Sequence, residues 1–205
     1  MITWLKSLVF TLALLPLAYY GWGLWHDTLG ANPIEAVTRG MGTWALNFLL
    51  ITLTVTPLRK LSGWNTVGRL RRMLGLFCFF YASLHLTSYL WFDQFFDWSE
   101  IAKDILKRPF ITIGMAAFVL LVPLAATSHN AAIRRMGGKR WQALHRTVYG
   151  IAIFAVLHYS WLVKADQSQP LLYGSILALL LGYRVLLLMP AHNRAAVGCN
   201  RRCGG

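Results

Sequence analysis

The stretch RRMLGLFCFFYASLHLTSYLWFD, residues 71–93, decides the fold class. Two arginines open it and an aspartate closes it, and the twenty residues between them include no Lys, Arg, Asp or Glu. A helix of that length runs about 30 Å, the thickness of a bilayer's hydrocarbon core. Backbone N–H and C=O groups in lipid must pair within their own segment, so the stretch reads as a membrane-spanning helix. It holds one ionisable side chain of interest, the imidazole of His85.

Outward from this span, at 73–92, five more apolar segments appear, at 4–25, 43–58, 110–127, 143–163 and 170–189. The second is short for a full crossing. The chain as a whole has 205 residues, 57% hydrophobic and 13% charged. That charge content is about half the usual share and too low to cover a soluble globule. The expected fold is therefore all-α: a polytopic bundle of six transmembrane helices in the lipid bilayer. Residues 1–190 form the membrane domain and 191–205 a cytoplasmic tail. The first segment could pass for a signal peptide, but only Lys6 is basic and no small-x-small cleavage site follows it. It reads as a retained span.

The net charge of +13 does not indicate a nucleic-acid partner, because the basic residues sit in short clusters between apolar spans. There they set orientation. With the N-terminus inside, the inner loops (59–72 and 128–146), the tail, Lys6 and Arg184 hold fifteen of the twenty Lys and Arg. The outer loops hold Arg39, Lys103, Lys107, Arg108 and Lys164. The expected topology is N-in, C-in. All seven acids (Asp27, Glu35, Asp93, Asp97, Glu100, Asp104 and Asp166) then lie outside. Within the outer segment FFDWSEIAKDILKRP, Asp97 and Glu100 have the spacing of a capping box. A short surface helix, with Phe95, Trp98, Ile101 and Ile105 on one face, and an irregular loop are both open there. Tryptophans near span ends are read as interfacial anchors. The three cysteines (Cys78 in a span, Cys199 and Cys203 in the tail) are read as unpaired and inert.

Three histidines carry the functional reading. An ionisable group inside a membrane is costly and points to function. His85 lies eight residues before Asp93, and His158 lies six before Lys164. Both are therefore about 9–12 Å from the outer surface on parallel helices. Two imidazoles at one depth can clamp one flat ligand, and haem takes an axial imidazole on each face of its iron. Two strong axial ligands leave no open position for substrate, which favours electron transfer. The alternative is that the two rings bond one another or nearby backbone carbonyls. His145 is thirteen residues from His158, about 19 Å along a helix and about 220° around it. The two do not share a face unless the segment is bent or begins late. His145, with Arg71, Arg72 and Arg146, is expected to form a second site for a haem, a quinone or a flavin; a plain interfacial histidine is the alternative.

The segments 71–90 and 138–161 (GKRWQALHRTVYGIAIFAVLHYSW) resemble the MsrQ (YedZ) family, as do LGANPIE (29–35), TPLRK (56–60) and KRPFITIG (107–114). The family belongs to the ferric-reductase-like transmembrane group. The resemblance implies b-type haem, with His85, His145 and His158 matching the family's histidines, and FMN as a further cofactor. It also implies electrons from the quinone pool and a location in the bacterial inner membrane. The implied partner is a periplasmic molybdopterin enzyme that reduces methionine sulfoxide, so this chain would not itself reduce the sulfoxide. Wider ferric reductases carry two histidines on each of two helices, where this chain has three in all. No flavin or nicotinamide domain is expected after the sixth span.

Two other classes compete. An intramembrane metalloprotease needs a carboxylate base near its zinc, as in HExxH, and the spans contain no acid. A proton- or ion-coupled transporter usually buries acids or breaks helices at the midplane. Pro16 and Pro123 could break helices, but no acids accompany them.

Overall fold

A computed structural model describes residues 2–163 and 166–188. Lys164 and the tail, with His192, Cys199 and Cys203, lie outside the described residues. Every regular element among those described is helical: α1 (Ile2–Trp25), α2 (Pro33–Ser62), α3 (Arg71–Ser88), α4 (Trp98–Lys107), α5 (Pro109–Ala126), α6 (Asn130–Met136), α7 (Gly138–Arg146), α8 (Val148–Leu162) and α9 (Ser168–Leu188).

Five stretches are long and apolar enough to cross a membrane: Thr3–Trp25, Pro33–Ser62, Asn65–Asp93, Pro109–Ala126 and Ser168–Leu186. Two boundaries depart from expectation. The span expected at 43–58 is a helix of 30 residues. Asn32 Oδ1 accepts the Glu35 N–H at 3.1 Å and Pro33 occupies the first turn, which starts α2 ten residues early. The polar run through Thr38 and Arg39 lowers apolarity without breaking the helix. Gly63 ends it with φ 69°, a left-handed conformation that glycine adopts without a Cβ clash.

The span expected at 143–163 is not one helix. It divides at Thr147 into α7 and a 15-residue α8. The Thr147 hydroxyl donates to the Leu144 carbonyl at 2.8 Å, three residues back, and its N–H bonds the same carbonyl at 3.1 Å. This local pairing competes with the helical ladder. The ideal-helix projection from His145 to His158 therefore does not apply.

The most extensive helix contacts are α2 with α3 and α5 with α8; α9 packs on α8 and α2, and α1 on α2. The core closes where α2, α3 and α8 meet, around the fully buried Leu53, Tyr81 and Ala152. Phe48 of α2 stacks on Phe77 and Tyr81 of α3, with ring centroids 5.5 and 5.3 Å apart. Outward-facing apolar side chains such as Leu12, Val119 and Leu179 are exposed, as expected where lipid is the solvent. Pro16 leaves α1 one N–H short. Beside it the Tyr81 hydroxyl donates to the Ala13 carbonyl at 2.6 Å and accepts the Leu17 N–H at 3.3 Å.

The surface helix of the outer segment FFDWSEIAKDILKRP forms. Asp97 Oδ1 accepts the N–H groups of Ser99 and Glu100 at 2.9 and 3.2 Å. Glu100 turns to Lys103 at 2.6 Å. Ile101 is buried, but Trp98 is exposed and Phe95 precedes the helix with φ 45°, so the expected four-residue apolar face is not assembled. Asp104 ties α4 to the end of α3, accepting from Gln94 Nε2 at 3.0 Å and from the Tyr89 hydroxyl at 3.3 Å.

Candidate functional site

His85 projects from α3 and His158 from α8, on the two most extensively packed helix pairs. Their rings lie 6.0 Å apart, centroid to centroid, with planes crossed at 74°. Each ring is tethered in the same way. His85 Nδ1 is 2.8 Å from the Thr38 carbonyl of α2, and His158 Nδ1 is 2.7 Å from the Phe110 carbonyl of α5. A carbonyl only accepts, so each Nδ1 carries the proton and donates. Each Nε2 is then the unprotonated nitrogen, and among the described residues neither has a hydrogen-bond partner. A hydrogen bond between the two rings is therefore excluded in this tautomeric state. The backbone-carbonyl alternative accounts for only one nitrogen of each ring.

The pair suits a metal held between two neutral imidazoles. A metal–imidazole bond is about 2 Å, so two such bonds set the ring centroids about 6 Å apart, the separation found here. A donated Nδ1 proton is also how metal-binding histidines are usually oriented. The hydroxyl of Thr38, the residue whose carbonyl holds His85, is buried and has no partner among the described residues. No three His, Cys, Asp or Glu side chains gather to form a metal site among the described residues. The arrangement is thus a two-imidazole one, unlike the three-ligand set of catalytic zinc.

His145 is elsewhere, on α7 at the arginine-rich end of the bundle. Its Nε2 lies 3.1 Å from Thr127 Oγ1, and its ring stacks on Trp141 at 4.0 Å. The Thr127 hydroxyl donates to the Pro123 carbonyl at 2.6 Å, so it accepts from His145 Nε2–H. His145 thus has the opposite tautomer from the other two. Trp141 Nε1 donates to the Thr127 carbonyl at 2.9 Å and completes the corner.

This corner opens onto a cavity of about 530 Å³ lined by Lys6, Arg69, Arg71, Arg72, His145 and Arg146, with no Asp or Glu among the described residues of its wall. Leu49, Leu121, Leu124 and Val148 give it an apolar side. The cavity brings together the four residues expected at a second site. Such a wall suits a ligand with a flat apolar body and anionic groups, since guanidinium binds carboxylate and phosphate in fork geometry. Arg72 Nη2 also holds Asn130 Oδ1 at 2.8 Å.

Sequence reasoning missed several contributors. The carbonyls of Thr38 and Phe110 carry no side-chain signal. Thr127 was not singled out. Arg184 was counted only toward orientation, although it is a cation inside an apolar run. Its guanidinium stacks 4.9 Å from the Tyr149 ring centre, donates to the Tyr149 hydroxyl and reaches the Leu53 carbonyl at 3.2 Å. Its Nε is buried without a partner among the described residues.

Residues 38–156 match the family described as "Ferric reductase like transmembrane component". Similar proteins named "Protein-methionine-sulfoxide reductase heme-binding subunit MsrQ" occur in several bacteria. The one from Azospira oryzae is 61% identical over 89% of this chain and 78% of its own length. That from Herminiimonas arsenicoxydans is 57% identical over 90% of this chain and 85% of its own. That from Rhodospirillum rubrum is 56% identical over 93% and 90%.

Proposed function

The chain belongs to the ferric-reductase-like transmembrane family and, within it, to the MsrQ subunits, and from that premise we propose that it is the haem b electron-transfer subunit of a periplasmic methionine sulfoxide reductase system. One observation carries this reading. The rings of His85 and His158 lie 6.0 Å apart, a separation that suits a shared metal, each with Nδ1 held by a carbonyl and Nε2 without a partner among the described residues.

Haem, when bound, supplies a one-electron couple. The residues do the rest. His85 and His158 would hold the haem through Nε2. Thr38 and Phe110 hold a ring proton on each Nδ1, which would leave Nε2 as the donor so that the neutral ligands add no charge of their own. With both imidazoles committed to the haem, the pair would leave no protein-built place for substrate there, so the sulfoxide is reduced in the partner. That partner is a periplasmic molybdopterin subunit docked at the acidic end.

Electrons enter at the arginine-rich basin. There Arg71, Arg72 and Arg146 would hold the anionic groups of a flavin such as FMN or of a second haem, beside His145, and the quinone pool is the source. The reading places residues 1–190 in the bacterial inner membrane, N-in and C-in, with 191–205 as a cytoplasmic tail. Outward electron movement then runs with a potential negative inside, worth up to ~2.3 kcal/mol per 100 mV for a full crossing.

The test is a visible spectrum of the protein purified in detergent after expression with ample haem. Sharp reduced α and Soret bands of a six-coordinate b haem are expected. Protein without haem would overturn the reading. Haem stoichiometry then divides the candidates for the basin: one haem per chain leaves it to flavin or quinol, and two place the second there.

A further inference from the structure

We propose that Gly42 and Gly114 are positioning residues that hold the two imidazole planes crossed, so that haem bound between them is a crossed-ligand, highly anisotropic low-spin centre. The inference rests on the haem reading above and adds how the ligands are oriented.

The two rings are held by one construction used twice. On α2 the accepting carbonyl is that of Thr38, and four residues on is Gly42. On α5 the carbonyl is that of Phe110, and four residues on is Gly114. Four residues is about one helical turn, so carbonyl and glycine share a face. The glycine is where the ring lies against the helix. A Cβ at position 42 would sit 3.0 Å from His85 Nδ1 and 3.1 Å from Cε1. A Cβ at position 114 would sit 2.7 Å from His158 Nδ1 and 2.8 Å from Cε1. The second is closer than real Cβ contacts come, so the ring or the helix would have to shift. The hydrogen bond fixes one edge of each ring and the bare helix face admits it. Rotation about Cβ–Cγ would break the bond or drive the ring into the backbone. The planes are thereby set 74° apart.

That angle has an electronic consequence. Each imidazole plane selects which of the iron's two π-symmetry d orbitals its ring overlaps. Parallel rings act on the same orbital and split the pair, giving a rhombic three-line ferric spectrum. Crossed rings act on one orbital each and leave the pair nearly degenerate, giving a single large-gmax feature.

The experiment is low-temperature electron paramagnetic resonance of the ferric, haem-loaded protein in detergent. A large-gmax signal is expected from the unaltered chain. Gly114→Ala should replace it with a rhombic signal or abolish haem binding in protein that still elutes as a single species. Gly42→Ala, with the looser contact, should shift it less. Gly21→Ala, whose added Cβ meets nothing within 4 Å, should leave it unchanged. A rhombic signal from the unaltered chain would overturn this proposal alone, as would a large-gmax signal retained by Gly114→Ala. Protein that binds no haem would overturn the haem reading together with it.

Discussion

The two ends of the bundle treat their histidines in opposite ways. Near the acidic end, His85 and His158 each bind a backbone carbonyl through Nδ1 and keep Nε2 free. At the arginine-rich end, His145 is engaged through Nε2 by Thr127 and stands among four guanidinium groups and Lys6. The first arrangement offers two uncharged nitrogen donors that suit a metal. The second offers positive charge, with cations facing a cavity that no Asp or Glu lines among the described residues. In a membrane the difference matters. Neutral imidazoles are the cheaper groups to bury, and a crowd of cations is tolerable where water and anionic ligands reach it.

The largest effects should come from removing the imidazoles. His85→Ala and His158→Ala should each lose the haem held between them, while His145→Ala should spare it, as read from the reduced spectrum and the haem content of purified protein. Equal retention in all three variants would erase the contrast between the two ends. A smaller and selective effect is expected at the basin. Arg71→Gln should weaken binding of an anionic donor about tenfold or more, since a hydrogen bond to a charged group contributes ~1.5–3 kcal/mol. The spectrum of the His85–His158 haem should not change. Stopped-flow reduction against the spectrum of the resting protein separates the two. Raising the salt should slow that reduction in the unaltered protein and slow it less in Arg71→Gln.

The smallest effect is expected at the acidic rim. The Ser99 hydroxyl, followed by the N–H groups of Glu100 and Ser99, holds the Asp97 carboxyl below its ordinary range. A depressed carboxylate stabilises the fold fully above its unfolded pKa, about 3.9. That contribution is lost as pH falls through the lower folded value. Amide exchange in α4 should therefore rise only in acid below that range. Asp97→Asn should remove this acid dependence and leave the histidine pair's spectrum untouched.

Much of this was legible from residues alone. Apolar length placed five of the spans, and the depth of His85 and His158 brought them to one level. The N-cap of α4 was visible in Asp97, whereas Glu100, expected to complete the box, turns to Lys103 instead. The α2 start was also written locally, in Asn32, Pro33 and Glu35, but hydropathy outvoted it. The break at Thr147 was harder to see, because no Pro or Gly marks it. It comes from a threonine hydroxyl choosing the Leu144 carbonyl. Gly42 and Gly114 could not be singled out, since their meaning lies in what a neighbouring helix brings against them. Arg184 was visible as an intramembrane cation, but its contacts with Tyr149 and Leu53 come from tertiary packing.

Tyr81 carries a consequence for how the chain is assembled. Its hydroxyl sits in the first helix's ladder beside Pro16, bonded to Ala13 and Leu17. Those partners are made first during synthesis, and the tyrosine follows more than sixty residues later. Until the third helix enters the bilayer, the Ala13 carbonyl and the Leu17 N–H have only each other, and the hydroxyl that later bonds both is absent. The contact between the first and third helices is therefore completed only when the later one is in place.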